Sequence, residues 1–188
     1  MQKKKLRLSN VLFALFIILL IIPQTRTAMQ IALNTVKVKL FSPSKLDAAA
    51  QTQLEPFTYQ LVDLNGNPTT AEVGKGKVVF LSYWATWCPP CIAEMPSIQK
   101  LYDDYGDKID FVLLTDEKPE VVRSFLERKE YNLPVFIPRM QTPAQLYERS
   151  IPTNYIIDSA GKIIVKEQGA TDWNSEKIKL VLEDLLTG

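Results

Sequence analysis

Lys77-Val78-Val79-Phe80-Leu81-Ser82-Tyr83-Trp84-Ala85-Thr86-Trp87-Cys88-Pro89-Pro90-Cys91 contains both cysteines of the 188-residue chain, directly behind its most continuous apolar run. Lys77 to Trp84 reads as a central strand covered on both faces, because alternation with polar residues is nearly absent. The residues after Cys91 place Ile98, Leu101, Tyr102 and Tyr105 at helical spacing, so the cysteines stand where a buried strand gives way to a helix. A helix N-terminus stabilises a thiolate through its macrodipole and its unpaired N–H groups, and Pro is tolerated there because those N–H groups have no intrahelical acceptor. On this geometry Cys88 is expected at the exposed tip as nucleophile, with Cys91 beneath it as the resolving thiol. The alternative is an inert local bridge. So short a loop contributes little stability, and an inert bridge has no need of a strand-to-helix junction.

Outward from this stretch, strands and helices alternate. Phe57 to Leu64 predicts a strand, followed by the tight-turn pair Asn65-Gly66 and a second short strand before Lys75. After the first helix come a strand at Ile109 to Leu114 and a helix from about Pro119 to Glu130 that buries Val121, Val122, Phe125 and Leu126. A short strand at Val135 to Ile137 precedes a helical turn at Thr142 to Glu148. Tyr155 to Val165 predicts a hairpin turning at Ser159-Ala160-Gly161, and a last helix places Ile178, Val181, Leu182 and Leu185 on one face. The pattern is that of one mixed α/β sandwich domain, without an internal repeat.

Composition narrows the chemistry. The chain has no His and two Cys. Cys/His zinc sites, four-cysteine zinc sites, His-ligated haem, c-type haem attachment and His-dependent hydrolases are therefore excluded, and no metal site or further cofactor is expected. The acid-rich turn Asp103-Asp104-Tyr105-Gly106-Asp107 lacks calcium-loop spacing. Five of the 22 basic residues (Lys3, Lys4, Lys5, Arg7 and Arg26) lie within residues 1–26, which hold no acid, so the 21 acids of residues 27–188 outnumber the 17 bases there, a net charge of −4. A mildly acidic domain has no stripe for a phosphate backbone, and nucleic acid is not an expected partner.

The N-terminus reads as an address. Val11 to Ile22 is an unbroken apolar run of 12 residues within an uncharged stretch of 18 between Arg7 and Arg26. As one helix at about 1.5 Å per residue that stretch is roughly 27 Å, slightly short of a ~30 Å hydrocarbon core. Cleavage after Ala28 would place Arg26 where a signal peptidase needs a small residue, so an uncut signal-anchor over residues 1–27 is expected rather than a cleaved leader. The N-terminal basic excess then puts the remainder outside the cytoplasm, as a single-pass protein of the cytoplasmic membrane facing the periplasm or extracytoplasmic side. Neither cysteine lies near this segment to carry a lipid. Residues 28–52 read as a juxtamembrane connector in which Met29, Leu33, Val36 and Leu40 fit a helix, and Val36, Val38 and Leu40 fit a strand.

The run Tyr83 to Pro96 (YWATWCPPCIAEMP) and the triplet Ile151-Pro152-Thr153 resemble the thioredoxin superfamily, specifically the membrane-anchored or secreted disulfide reductases of the TlpA and ResA type. The resemblance covers residues 53–188 and implies a thioredoxin-like fold, a Cys88–Cys91 redox disulfide and protein disulfides as substrates. It implies that Pro152 is the cis-proline facing the nucleophile, where the Ile151 backbone is open to an extended client, and that Glu94 is the acid that tunes the cysteines. Pro96 matches a helix-kinking proline. Trp87 is expected to shield Cys88 and, with Ile151 and the loop from Arg139 to Thr142, to meet clients, whereas Trp84 is expected in the core. One departure matters. Thioredoxins proper carry a buried Asp six residues before the first cysteine, where this chain has Ser82, and that shifts the proton-accepting burden to Glu94 or water.

Pro89 and Pro90 have no N–H to stabilise the Cys88 thiolate, so a reducing couple is expected, nearer the roughly −270 mV of thioredoxin than the −120 mV of a strong oxidant. These readings converge on an envelope disulfide reductase fed by a membrane thiol electron donor, with apocytochrome c as one client and hence a link to cytochrome c maturation. Two alternatives share the fold. A peroxiredoxin-like peroxidase needs Thr and Pro just ahead of its cysteine at a spacing that Thr86-Trp87-Cys88 lacks. A copper-handling module usually separates its cysteines by three residues and adds a distant His.

Overall fold

The computed structural model describes residues 8–187. Seven strands form one mixed sheet: β1 (Phe57–Asp63), β2 (Pro68–Val73), β3 (Val79–Tyr83), β4 (Asp110–Leu114), β5 (Val135–Pro138), β6 (Thr153–Ile157) and β7 (Ile163–Gln168), in the spatial order β2-β1-β5-β4-β3-β6-β7. β3 is central, parallel to β4 and antiparallel to β6. Its residues Val79 to Ser82 are all buried, as a strand covered on both faces requires.

The crossovers β3–α3–β4 and β4–α4–β5 put α3 (Pro89–Tyr105) and α4 (Pro119–Lys129) on one face of the sheet, and α5 (Glu176–Thr187) joins them there. Ile98, Leu101, Val122, Phe125, Ile178 and Leu182 form a single core with Phe80, Phe111 and Ile156. The opposite face packs Tyr59, Leu81, Tyr155 and Leu146 under the segments around Leu46, Leu54 and Met140. Of the residues expected to be buried by α4, Val121 is 47% exposed. The inward stripe is Val122, Phe125 and Leu126, and Val121 lies about 100° round the helix from its neighbour.

The predicted turns follow their local chemistry. Asp63 Oδ1 accepts from the backbone N–H groups of Asn65 and Asn67, each at 2.8 Å, and Gly66 takes φ +87°. Gly161 turns the β6–β7 hairpin at φ +89°, where its Cα lies against Gly74.

The N-terminal segment departs from the expected single helix. α1 (Leu8–Ile21) has 14 residues, about 21 Å at 1.5 Å each, and the chain turns at Ile22, extended at φ −71° and ψ 118°, before Pro23 starts α2 (Pro23–Leu40). No described helix is long and apolar enough to cross a membrane. The Lys3–Lys5 cluster and Arg7 lie outside the described residues.

α2 occupies much of the segment whose spacing fits both helix and strand. It lies on α3, burying Val38 against Ala93 and Ala170. Beyond it the chain runs along the domain. Phe41 O accepts from Asp172 N at 3.0 Å and Thr171 Oγ1 at 2.8 Å, Leu46 N donates to Ile164 O at 2.8 Å, and Leu54 N donates to Gly161 O at 2.9 Å.

Candidate active site

Cys88 is the N-cap of α3, and Pro89 and Pro90 occupy its first turn, where their missing N–H groups cost no intrahelical bond. Cys88 and Cys91 form a disulfide with Cα atoms 5.2 Å apart, and Cys91 N donates to Cys88 Sγ at 3.3 Å. A thiolate formed at Cys88 on reduction would inherit that N–H and the positive end of the helix.

The loop ahead of Cys88 is pinned from the β4–α4 connection. The Glu117 carboxylate accepts from Thr86 N at 2.6 Å and from Thr86 Oγ1 at 2.7 Å. Nothing in the spacing of Glu117, 29 residues downstream of Cys88, points to this role. Only the adjacency of β3 and β4 brings it there.

Ile151, Pro152 and the cysteines come together. The Ile151–Pro152 bond is cis, Pro152 is buried, and Ile151 O lies 3.7 Å from Cys88 Sγ. Cys88 is only 2% exposed, not at an open tip. Its sulfur turns inward to bond Cys91, and the Ile151–Pro152 loop closes over it. Trp87 is 68% exposed and Trp84 is buried, its ring centroid 5.6 Å from that of Phe125 and tilted to it by 48°. The Trp87 indole is thus open to solvent at the residue before Cys88. With Ile151, Tyr147 and Thr142 it borders a cavity of about 340 Å³ next to the redox pair. Tyr83 lies on that cavity, its phenol 3.5 Å from that of Tyr59, and burial pushes its pKa above the ordinary range.

Glu94 is 1% exposed, and its hydrogen bonds reach neither sulfur. Oε1 accepts from Asn154 Nδ2 at 2.9 Å, while Oε2 accepts from Trp173 Nε1 at 3.3 Å and Thr171 N at 3.4 Å. Burial raises its pKa to about 8, and these three donors offset only part of the rise, so the carboxyl is mostly protonated at neutral pH. The i, i+3 relation to Cys91 is real, yet the partners lie 60 to 79 residues away in sequence, beyond the reach of any local pattern.

Ser82 faces Asn154 across the β3–β6 pair, on the same side of the sheet as the cysteines. Ser82 Oγ and Asn154 Oδ1 are both buried, without a hydrogen-bond partner among the described residues. Serine therefore supplies no carboxylate beneath the redox pair, and Asn154, which faces it, is bonded to Glu94.

Residues 49–182 match the Redoxin family. The chain is 33% identical over 124 residues to the thioredoxin-like protein YneN of Bacillus subtilis (strain 168), covering 64% of this chain and 73% of that protein. It is 34% identical over 135 residues to the thiol-disulfide oxidoreductase ResA of Bacillus thuringiensis subsp. konkukian, covering 70% of this chain and 75% of that one. In fold it is similar to a DsbF homologue from Corynebacterium diphtheriae, with a TM-score of 0.59 at 20% identity over 76% of this chain and 92% of that one. A thioredoxin-like sheet, a Cys-Pro-Pro-Cys pair at a helix N-terminus and these matches lead to one conclusion: the chain belongs to the Redoxin family and is a thiol-disulfide oxidoreductase of the ResA-like, thioredoxin-fold kind.

Proposed function

We propose that the protein reduces disulfides of other proteins at the outer side of a cytoplasmic membrane, with Cys88 as nucleophile and Cys91 as resolving thiol. The observation that carries this reading is the approach of Ile151 O to Cys88 Sγ at 3.7 Å, with the exposed indole of Trp87 and the cavity beside it. A client segment extended along Ile151 would hold its own disulfide against Cys88. The Cys88 thiolate attacks one client sulfur, the client S–S bond breaks, and the leaving sulfur takes up a proton. Cys91 then loses its proton and attacks Cys88 Sγ. The mixed disulfide breaks, the second client sulfur leaves as a thiolate and is protonated, and the pair ends as the disulfide, two electrons having passed to the client.

Glu94 tunes the pair through its charge. Neutral at rest, it would put a negative charge behind the cysteines on ionisation and raise their thiol pKa values. The segment that contains the apolar run Val11 to Ile22 attaches the chain to the membrane, and a membrane thiol donor restores the reduced pair. Clients are proteins with accessible paired cysteines, of which an oxidised apocytochrome c is one, which would give the protein a place in cytochrome c maturation.

The test has two parts. The Cys91→Ser chain, mixed with an oxidised protein client, is expected to accumulate a mixed disulfide through Cys88. Equilibration of the wild-type pair against thiol buffers is expected to place its potential near the roughly −270 mV of thioredoxin. A potential above about −180 mV, or a mixed disulfide that accumulates in a Cys88→Ser chain and not in the Cys91→Ser chain, would overturn the reading.

A further inference from the structure

α2 has two faces, and only one is used by the fold. The inner face seats Val38 on Ala93 and Ala170, with Thr27, Ile31, Asn34 and Thr35 partly covered. Directly opposite, Met29, Leu33, Val36 and Leu40 follow one another at intervals of four, three and four residues, which aligns them in one stripe along the helix. They are between 39% and 73% exposed, and Ile22 and Phe41 extend the stripe at either end with 40% and 58% exposure. Such a contiguous apolar surface needs an occupant.

Charge selects among occupants. Lys39 flanks the stripe on one side and Arg26 on the other, Lys37 turns its ammonium to Gly169 and the Glu167 carboxylate of the domain, and no Asp or Glu occurs before Asp47. A second copy of α2 would set cations against cations with no acid to pair them, the reverse of what flanking positions supply in stable coiled coils. Anionic headgroups complement the same flanks, and the long Lys and Arg stems can lie along the apolar face while their charges stay in the headgroup layer. The stripe also follows directly on α1, where Leu12, Phe13, Leu15 and Phe16 are exposed all round.

We propose that α2 is an interfacial helix: its free face rests in the headgroup region of an anionic phospholipid bilayer while its opposite face holds the catalytic helix. This rests on the reading that residues 8–22 attach the chain to a membrane. Ala93, on which Val38 sits, is two residues beyond Cys91, and Phe41 O is bonded to Thr171, whose N–H reaches Glu94. The redox pair is thereby held at a set height and orientation over the lipid surface, where a membrane thiol donor would meet it, and not at the end of a swinging linker.

The test uses the full chain with vesicles of phosphatidylcholine alone or mixed equally with phosphatidylglycerol, each prepared with and without phosphatidylcholine brominated near the carbonyl end of its acyl chains. Leu33→Trp adds a fluorophore on the stripe, and Glu120→Trp adds one on α4 as a control. Flotation with vesicles, together with loss of most of the emission added by Leu33→Trp and none of that added by Glu120→Trp, supports the proposal. The quenching should be stronger with the anionic lipid and weakened by Arg26→Glu with Lys39→Glu. Flotation without quenching at position 33 overturns the interfacial helix while leaving membrane attachment standing. The same result with a dimeric mass in detergent assigns the stripe to a second copy and equally overturns it. Absence of flotation overturns both attachment and the interfacial helix.

Discussion

Glu94 Oε1 accepts a hydrogen bond of 2.9 Å from Asn154 Nδ2, joining the helix that carries the cysteines to the strand that follows the cis-proline. Asn154 lies two residues after Pro152, and Glu94 three after Cys91. The two halves of the candidate site, the redox pair and the cis-proline loop, are therefore fastened to each other beneath the surface by one buried carboxyl. Its protonation state becomes a property of the whole site.

Folded Glu94 holds its proton up to about pH 8, whereas an unperturbed Glu releases it near 4.5. Between those values unfolding releases a proton, so the contribution of Glu94 to stability falls as pH rises from about 4.5 to about 8 and is flat beyond. Each unit of difference is worth about 1.4 kcal/mol, which makes the fall several kcal/mol. Urea unfolding of wild type and Glu94→Gln across this range checks it. The glutamine variant is expected to lose most of the slope, and equal slopes in the two proteins would refute the assignment.

Glu117 accepts two short hydrogen bonds from Thr86 and so sets the loop that presents Cys88. Hydrogen bonds to a charged group contribute about 1.5–3 kcal/mol each. Glu117→Ala is expected to lower stability by about 2–3 kcal/mol and to slow client reduction, while Glu117→Gln, which keeps one good acceptor, loses less. Chemical denaturation of the two variants gives the ranking, and an unchanged midpoint for Glu117→Ala would contradict it.

Ser82 Oγ is buried and unpartnered. Leaving such a group unsatisfied costs about 1–3 kcal/mol, so Ser82→Ala is expected to stabilise the fold by roughly 1 kcal/mol without shifting the potential of the cysteine pair. A destabilised variant, or a moved potential, would show that the hydroxyl serves the site.

Trp87 is exposed beside the bridge and takes no part in the core. Trp87→Ala is expected to change stability by no more than about 0.5 kcal/mol and to leave the redox potential unaltered, while lowering kcat/KM for a protein disulfide mainly through KM. Reduction of a small-molecule disulfide, which needs no client surface, should be nearly unaffected. If both substrates slow alike, Trp87 acts on the cysteines themselves.

Much of the architecture is legible one segment at a time. The buried run of β3, the helix that begins behind Cys88, the Asn65-Gly66 turn and the glycine of the β6–β7 hairpin all follow from local periodicity and turn chemistry, because each is decided by residues within one turn or one strand of each other. The nearness of Cys88 and Cys91 is of the same kind. Sheet order is different. The placement of β3 between β4 and β6 brings Glu117 to Thr86 and sets Asn154 against Ser82, and the packing of α3 against the end of β7 brings Thr171 and Trp173 to Glu94. None of these pairs is close in the chain.

Local pattern also says which residues of an element are apolar without saying which of two faces the fold will use. That is why Val121 is exposed and why the inner face of α2, not the stripe of Met29, Leu33, Val36 and Leu40, meets α3. It is likewise tertiary closure, by the Ile151–Pro152 loop, that buries the sulfur of Cys88. The sequence by itself determined the redox chemistry and the elements that carry it. Only the tertiary structure decided how that chemistry is covered, which partners hold the buried Glu94 carboxyl and where the N-terminal helix lies, because burial and long-range hydrogen bonding are properties of neighbours in space.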